Sequence, residues 1–191
     1  MKELVFLLEE RSAEALLKSI LPRVIDTEQI AVRYISFEGK QDLEKQLVRK
    51  IRFYRNNRAR FIVLRDQDSH PDCTIIKMRL MDLCRESGRA DHCMIRIACR
   101  ELETFYLADL QAVERAFSLN GLTIRQNSQK YRLPDRLGSP SRELATLTRG
   151  IYEKVEGSRA IGHHLDTNNE RSPSFKNLIK AIRRLENELL Q

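Results

Sequence analysis

The chain has 191 residues, 41% of them apolar, with 34 Lys and Arg against 27 Asp and Glu for a formal charge of +7. That is enough for one buried core, or for one domain with an appendage. No stretch approaches the roughly 18 apolar residues of a membrane helix, and the N-terminal apolar run closes on two glutamates, unlike a secretory signal, so a cytoplasmic protein is expected. The positive excess favours an anionic partner, nucleic acid first.

Leu4 to Leu8 is an unbroken apolar run and reads as a buried strand. From Ser12 the pattern becomes Ala13, Leu16, Leu17, Ile20 and Leu21, one face of a helix that ends near Pro22. Ile30 to Ile35 gives a second strand, and Leu43, Leu47, Ile51 and Tyr54 a second helix. Phe61 to Leu64 is the third strand, followed by a helix over Ile75 to Leu83 that Ser87-Gly88 stops. Cys93 to Ala98 is the fourth strand, and Leu102, Phe105, Tyr106, Val113 and Phe117 fall on a single fourth helix. Strand and helix thus alternate four times, and the strands are continuously rather than alternately apolar. That pattern predicts an α/β fold with a mainly parallel, Rossmann-like sheet covered by helices on both faces. Residues 1–117 form this predicted core, and residues 118–191 a mostly helical C-terminal extension packed on it. Gly121, Pro134, Gly138 and Pro140 mark loop with short helices, and a last helix starts at Pro173 with Phe175, Leu178, Ile179, Ile182, Leu185 and Leu189 on one face.

In a parallel sheet the C-terminal strand ends share one edge, where open α/β folds bind ligands. The first strand runs into Glu9 and Glu10, the third into Asp66 and Asp68. As neighbouring strands lie about 5 Å apart, at least three carboxylates converge if these two are adjacent. Such a cluster raises its own proton affinity unless a cation holds it, and hard oxygen donors suit Mg²⁺ or Mn²⁺. On extended backbone the two aspartates of D-x-D point the same way and Gln67 the other. A plain turn rich in Asp would also explain the spacing.

The segments LLEERSAEALL, VLRDQDSHPDC, CRELETFYLADLQAVERAF and RSPSF, in this order, resemble a TOPRIM-like family of bacterial proteins often encoded beside an AAA or ABC-type ATPase. That family is related to the TOPRIM domains of OLD-family nucleases, DnaG-type primases and topoisomerases, and the resemblance spans nearly the whole chain. It implies a TOPRIM-like fold in which Glu9 is general acid or base or a metal ligand, and Asp66 and Asp68 are metal ligands. Glu103 joins them as a further candidate ligand. The implied activity is Mg²⁺-dependent cleavage of phosphodiesters in DNA or RNA, gated by an ATPase partner, in defence against phage or plasmids. The alternative is a non-catalytic metal-binding partner or regulatory subunit of an ATPase. TOPRIM domains usually carry Gly directly after the glutamate, and this chain has Glu10 there, which speaks against polymerase-like or topoisomerase-like chemistry.

Several residues outside this set carry readings of their own. Glu101 starts the fourth helix beside Glu103, where the dipole alone favours acidic residues. Glu14 reads as solvated and Asp72 as the cap of helix three. Arg55, Arg58 and Arg60, in a basic stretch with Phe53 and Tyr54, are candidate phosphate contacts, and so is Lys154, where a cation could stabilise developing charge. The four cysteines have no C-x-x-C pair and read as reduced thiols rather than zinc ligands. Adjacent His163 and His164 read as loop or capping residues, and Ser172 and Ser174 as helix caps.

Overall fold

The computed structural model describes residues 1–191. Four strands form one parallel sheet in the order β2-β1-β3-β4: β1 is Glu3–Leu8, β2 Ala31–Ser36, β3 Arg60–Asp66 and β4 Cys93–Ala98. β1 runs leftward to β2 and rightward to β3, so the chain changes direction of build between β1 and β3. Every residue of β1 is buried, because both of its faces are covered.

The two faces have separate cores. Val5, Leu7, Phe61 and Val63 pack under α2 (Lys40–Arg52) and α3 (Cys73–Glu86). Leu4, Phe6, Leu8, Ile62 and Leu64 pack on the other face, in a larger cluster shared with α1 (Arg11–Ile20) and with the helices that follow β4. Those helices are α4 (Glu103–Leu107), α5 (Leu110–Ala116), α6 (Pro140–Leu147), α7 (Lys154–His164) and α8 (Pro173–Leu190). The predicted α/β fold with helices on both faces is therefore the observed one. No helix is long and apolar enough to cross a membrane.

Two elements differ from the sequence reading. The single fourth helix is two helices, broken at Asp109, whose Oδ1 accepts the Ala112 N–H at 3.1 Å and whose Oδ2 accepts the Asp166 N–H at 2.9 Å. An aspartate that satisfies a free amide of a new helix start outweighs the continuing apolar period. The second is α7, which contains Gly157 and Gly162 and shows little apolar periodicity. Its glycines serve close approach: a Cβ at Gly162 would lie 2.8 Å from Ser19 Cβ on α1, and one at Gly157 would lie 2.4 Å from the Tyr152 ring. α7 therefore lies tightly along α1, and the Tyr152 side chain is laid across its first turns. The four cysteines are free. His163 and His164 end α7 exposed, Asp72 caps α3 through the Thr74 N–H at 2.7 Å, and Ser172 caps α8 through the Phe175 N–H at 3.1 Å.

Candidate metal centre at the carboxylate edge

β1 and β3 end side by side, and the ladder runs one residue further, with Glu9 N–H donating to the Leu64 carbonyl at 3.2 Å. This brings the Glu9 side chain back across β3, where Oε2 accepts the Asp66 N–H at 3.0 Å. Glu9 is 8% exposed. Arg65 lies beside it, with Nε 3.8 Å from Glu9 Oε2, and its other arm holds Glu44. Burial raises the Glu9 pKa, against the lowering effect of the Asp66 amide.

Asp66 is the last residue of β3. The residue is half-buried, in a crowded place that still meets solvent. Burial pushes its pKa well up, and Glu9, Glu103 and Glu10 push it further, against one bond from the Leu102 N–H. It has no ion-pair partner, unlike each of its acidic neighbours in the loops. A cavity of about 10 Å³, lined by Glu9, Glu10, Ser12, Arg65, Asp66 and Leu102 among others, lies against it. That is room for about one water molecule.

The remaining carboxylates are held by cations or phenols. Glu10, at the N-cap of α1, receives Lys154 Nζ at 2.9 and 3.2 Å on its two oxygens. Asp68 pairs with Lys40 Nζ at 2.8 Å. Its φ of 56° breaks the extended run on which the D-x-D alternation rests, so Asp68 is turned by its own N–H bond to the Arg100 carbonyl at 2.7 Å rather than aligned with Asp66. Glu103, 3% exposed, accepts the Tyr152 O–H at 2.9 Å, and burial raises its pKa. Behind it lies Tyr106, fully buried, its hydroxyl without a hydrogen-bond partner and its ring 6.2 Å from that of Tyr152. Lys154 is held more firmly charged by Glu10, Glu103 and Asp66, which outweigh its own partial burial.

The arrangement places five carboxylates, Glu9, Glu10, Asp66, Asp68 and Glu103, around three cations, Arg65, Lys40 and Lys154. No group of three His, Cys, Asp or Glu side chains is set to hold one ion, so the expected cage of Glu9, Asp66, Asp68 and Glu103 is not preformed. The donor chemistry nevertheless fits a hard divalent cation. Mg²⁺ is ordinarily held by one or two carboxylates and keeps several waters, and the half-buried, unpaired Asp66 beside a water-sized cavity offers such a place.

The other acidic candidates have structural work. Glu101 Oε2 accepts the Ser141 N–H at 2.7 Å at the start of α6, and Glu14 is bound by Lys18 at 2.7 Å and Ser36 at 2.7 Å. The basic candidates separate. Lys154 joins the carboxylates, whereas Arg60 opens β3 and so lies roughly 20 Å from Asp66 along the strand. Arg60 is engaged with Glu188 at 3.4 Å and His92 at 3.0 Å, and Arg55 borders a groove of about 630 Å³ with Arg33, Lys50 and the exposed Phe53. Sequence reasoning placed Glu10 at the edge without giving it a role, and missed Lys40, Tyr106 and Tyr152. Glu10 was legible as the second acid at the strand end; nothing in the sequence marks the phenols, which tertiary packing brings in.

The match to a family model over residues 8–183 decides the family. The chain belongs to the DUF4276 family. That family is described as a domain of unknown function. The fold of this DUF4276 chain is similar to that of the C-terminal region of the Burkholderia pseudomallei OLD protein, with a TM-score of 0.60 over 96% of this chain and 98% of that one, at 15% identity. No curated protein matches the sequence.

Proposed function

We propose that the carboxylate edge is the catalytic centre of a TOPRIM-type nuclease that cleaves phosphodiester bonds of DNA or RNA with Mg²⁺ or Mn²⁺. One observation carries this reading: Asp66, enclosed among Glu9, Glu10 and Glu103 with no cation of its own, lies against a water-sized cavity at the point where the sheet changes direction of build. The fold shared with the OLD region supports the TOPRIM relation.

Asp66 and Glu9 are the residues to hold the ion, with Glu10, Asp68 and Glu103 able to add water-mediated or direct ligands. A divalent ion bound there would supply a polarised water and positive charge at the scissile phosphate. Glu9, bonded to the Asp66 amide and beside Arg65, fixes the backbone at the end of β3 from which the Asp66 side chain springs. Lys154, tethered to Glu10 on the solvent side, places an ammonium where charge develops on phosphate oxygens. Lys40 does the same on the Asp68 side. Tyr152 orients Glu103. An AAA or ABC-type ATPase partner, and a role in defence, follow from the family resemblance.

A second reading is a non-catalytic, metal-binding regulatory module. The Glu10–Lys154 and Asp68–Lys40 pairs favour it, since they close two of the acidic groups against a ligand. Incubation of supercoiled plasmid, linear duplex, single-stranded DNA and transfer RNA with Mg²⁺, Mn²⁺ or EDTA separates the two. The nuclease reading expects cutting that needs metal and is lost in Asp66→Asn and Glu9→Gln with the fold intact. Equal cutting by folded Asp66→Asn overturns it.

A further inference from the structure

The proposed chemistry leaves the four free cysteines unused. They fall into two pairs in space. Cys84 and Cys93 lie in one core cluster under α3, away from solvent. Cys73 and Cys99 are half-buried and line one cleft of about 440 Å³ together with Lys77, Asp135 and Ser174. Cys73 is the first residue of α3, directly after the Asp72 cap. Cys99 follows the last residue of β4, its N–H donating to Ser174 Oγ at 3.3 Å and its carbonyl accepting from Thr104 Oγ1 at 2.7 Å. Both sulfurs are therefore carried on fixed backbone.

Cys99 and Cys73 share the wall of this cleft, and burial, Asp135 and Cys73 itself raise the Cys99 thiol to about 12. Cys99 is thus the partner held protonated, and Cys73, at the first position of α3, is the one that meets the oxidant first. Between the two runs the seam that fixes the D-x-D loop. Gln67 N–H donates to the Ala98 carbonyl at 3.0 Å, Asp68 N–H to the Arg100 carbonyl at 2.7 Å, and Arg100 N–H to Gln67 Oε1 at 3.4 Å. Cys73 and Cys99 bracket this seam, one at the far end of the loop and one on the strand it is bonded to.

We propose that Cys73 and Cys99 are a redox modification site: a hydroperoxide converts them to a reversible disulfide that staples residues 66–73 to the end of β4. Cys73 sulfur attacks the peroxide, the O–O bond breaks, Cys73 becomes a sulfenic acid, and the alcohol or water leaves with the thiol proton. The Cys99 sulfur then attacks Cys73, a second water departs with the Cys99 proton, and the S–S bond forms. Two thiols lose two electrons and two protons, and the peroxide takes both. The reduced pair leaves the loop held by hydrogen bonds alone; the oxidised pair fixes Asp68 in its turned position, on the Lys40 side of the site. The bond forms or fails to form whether or not the edge cleaves nucleic acid.

The test uses the full chain treated with excess hydrogen peroxide, blocked with an alkylating reagent and mapped by mass spectrometry, with hydrogen exchange of residues 66–72 measured in parallel. A Cys73–Cys99 peptide that loses two hydrogens, disappears with dithiothreitol and is absent from both Cys73→Ser and Cys99→Ser is the expected result, with slower loop exchange in the oxidised protein. Alkylation of both thiols after treatment, over-oxidation of Cys73 without a cross-link, or a cross-link through Cys84 and Cys93 instead would overturn the proposal. The wild-type map decides it even if either serine variant folds poorly.

Discussion

The two ends of β1 each carry a buried glutamate, and they are treated in opposite ways. Glu3, 3% exposed at the start of the strand, is saturated: Tyr54 O–H donates at 3.0 Å, Asn56 Nδ2 at 2.9 Å, and Arg33 stands 3.4 Å away. Glu9, beyond the strand's end, shares its surroundings with four other carboxylates, and one of these, Asp66, has no counter-ion. A buried charge that is fully bonded holds a structure together. A cluster with more carboxylates than cations is held together only by protons or by a cation from solution, and is therefore a place where something binds.

The strongest way to break this contrast is Asp66→Asn. It should abolish metal-dependent cleavage and lower Mg²⁺ affinity by more than the roughly 100-fold that loss of a supporting group costs, as read by calorimetry. It should also change the pH dependence of the metal-free fold. Asp66, Glu9 and Glu103 have folded pKa values raised by burial, so the stability they contribute is fully present below about pH 4 and is lost as pH rises through the raised values. Thermal melts without metal should show the wild type losing stability as pH rises above about 4, less so in Asp66→Asn, with Mg²⁺ restoring the wild type only. An equal pH slope in both proteins would remove Asp66 from the account.

Lys154→Met separates binding from chemistry. Turnover should fall by roughly 10²–10³-fold, while Mg²⁺ affinity holds or rises because Glu10 is released from its ammonium partner. A loss of Mg²⁺ binding would show that Lys154 only organises the edge. Tyr152→Phe is smaller: it leaves Glu103 without its phenol and should cost about 1–2 kcal/mol in chemical denaturation. The smallest effect on the carboxylate edge comes from Glu3→Gln at the far end of β1, which should lower stability by about 1 kcal/mol and leave Mg²⁺ affinity unchanged, since its partners belong to that end of the sheet.

What the sequence made legible follows from how local each signal is. The strand runs Leu4 to Leu8 and Phe61 to Leu64 are continuous apolar stretches, so a parallel sheet with both faces covered, and the convergence of Glu9 with Asp66, could be read directly. The orientation of Asp68 could not, because its positive φ is set by the Arg100 carbonyl, more than 30 residues away. Arg55, Arg58 and Arg60 read as candidate phosphate contacts, yet Arg60 opens the strand that Asp66 ends, and Arg55 and Arg58 precede it, so they lie away from the carboxylate edge. Tyr152 and Lys154 reach the site only because Gly157 and Gly162 let α7 lie close, and glycines weaken the very periodicity that would have revealed that helix.

The central claim is that the edge holds a divalent ion at Asp66, and the most direct measurement is a Mn²⁺ titration followed by electron paramagnetic resonance on the wild type and Asp66→Asn. Loss of the free-ion signal by the wild type, with none by a folded Asp66→Asn, is the result expected. Equal Mn²⁺ uptake by both, or none by the wild type, would contradict the account.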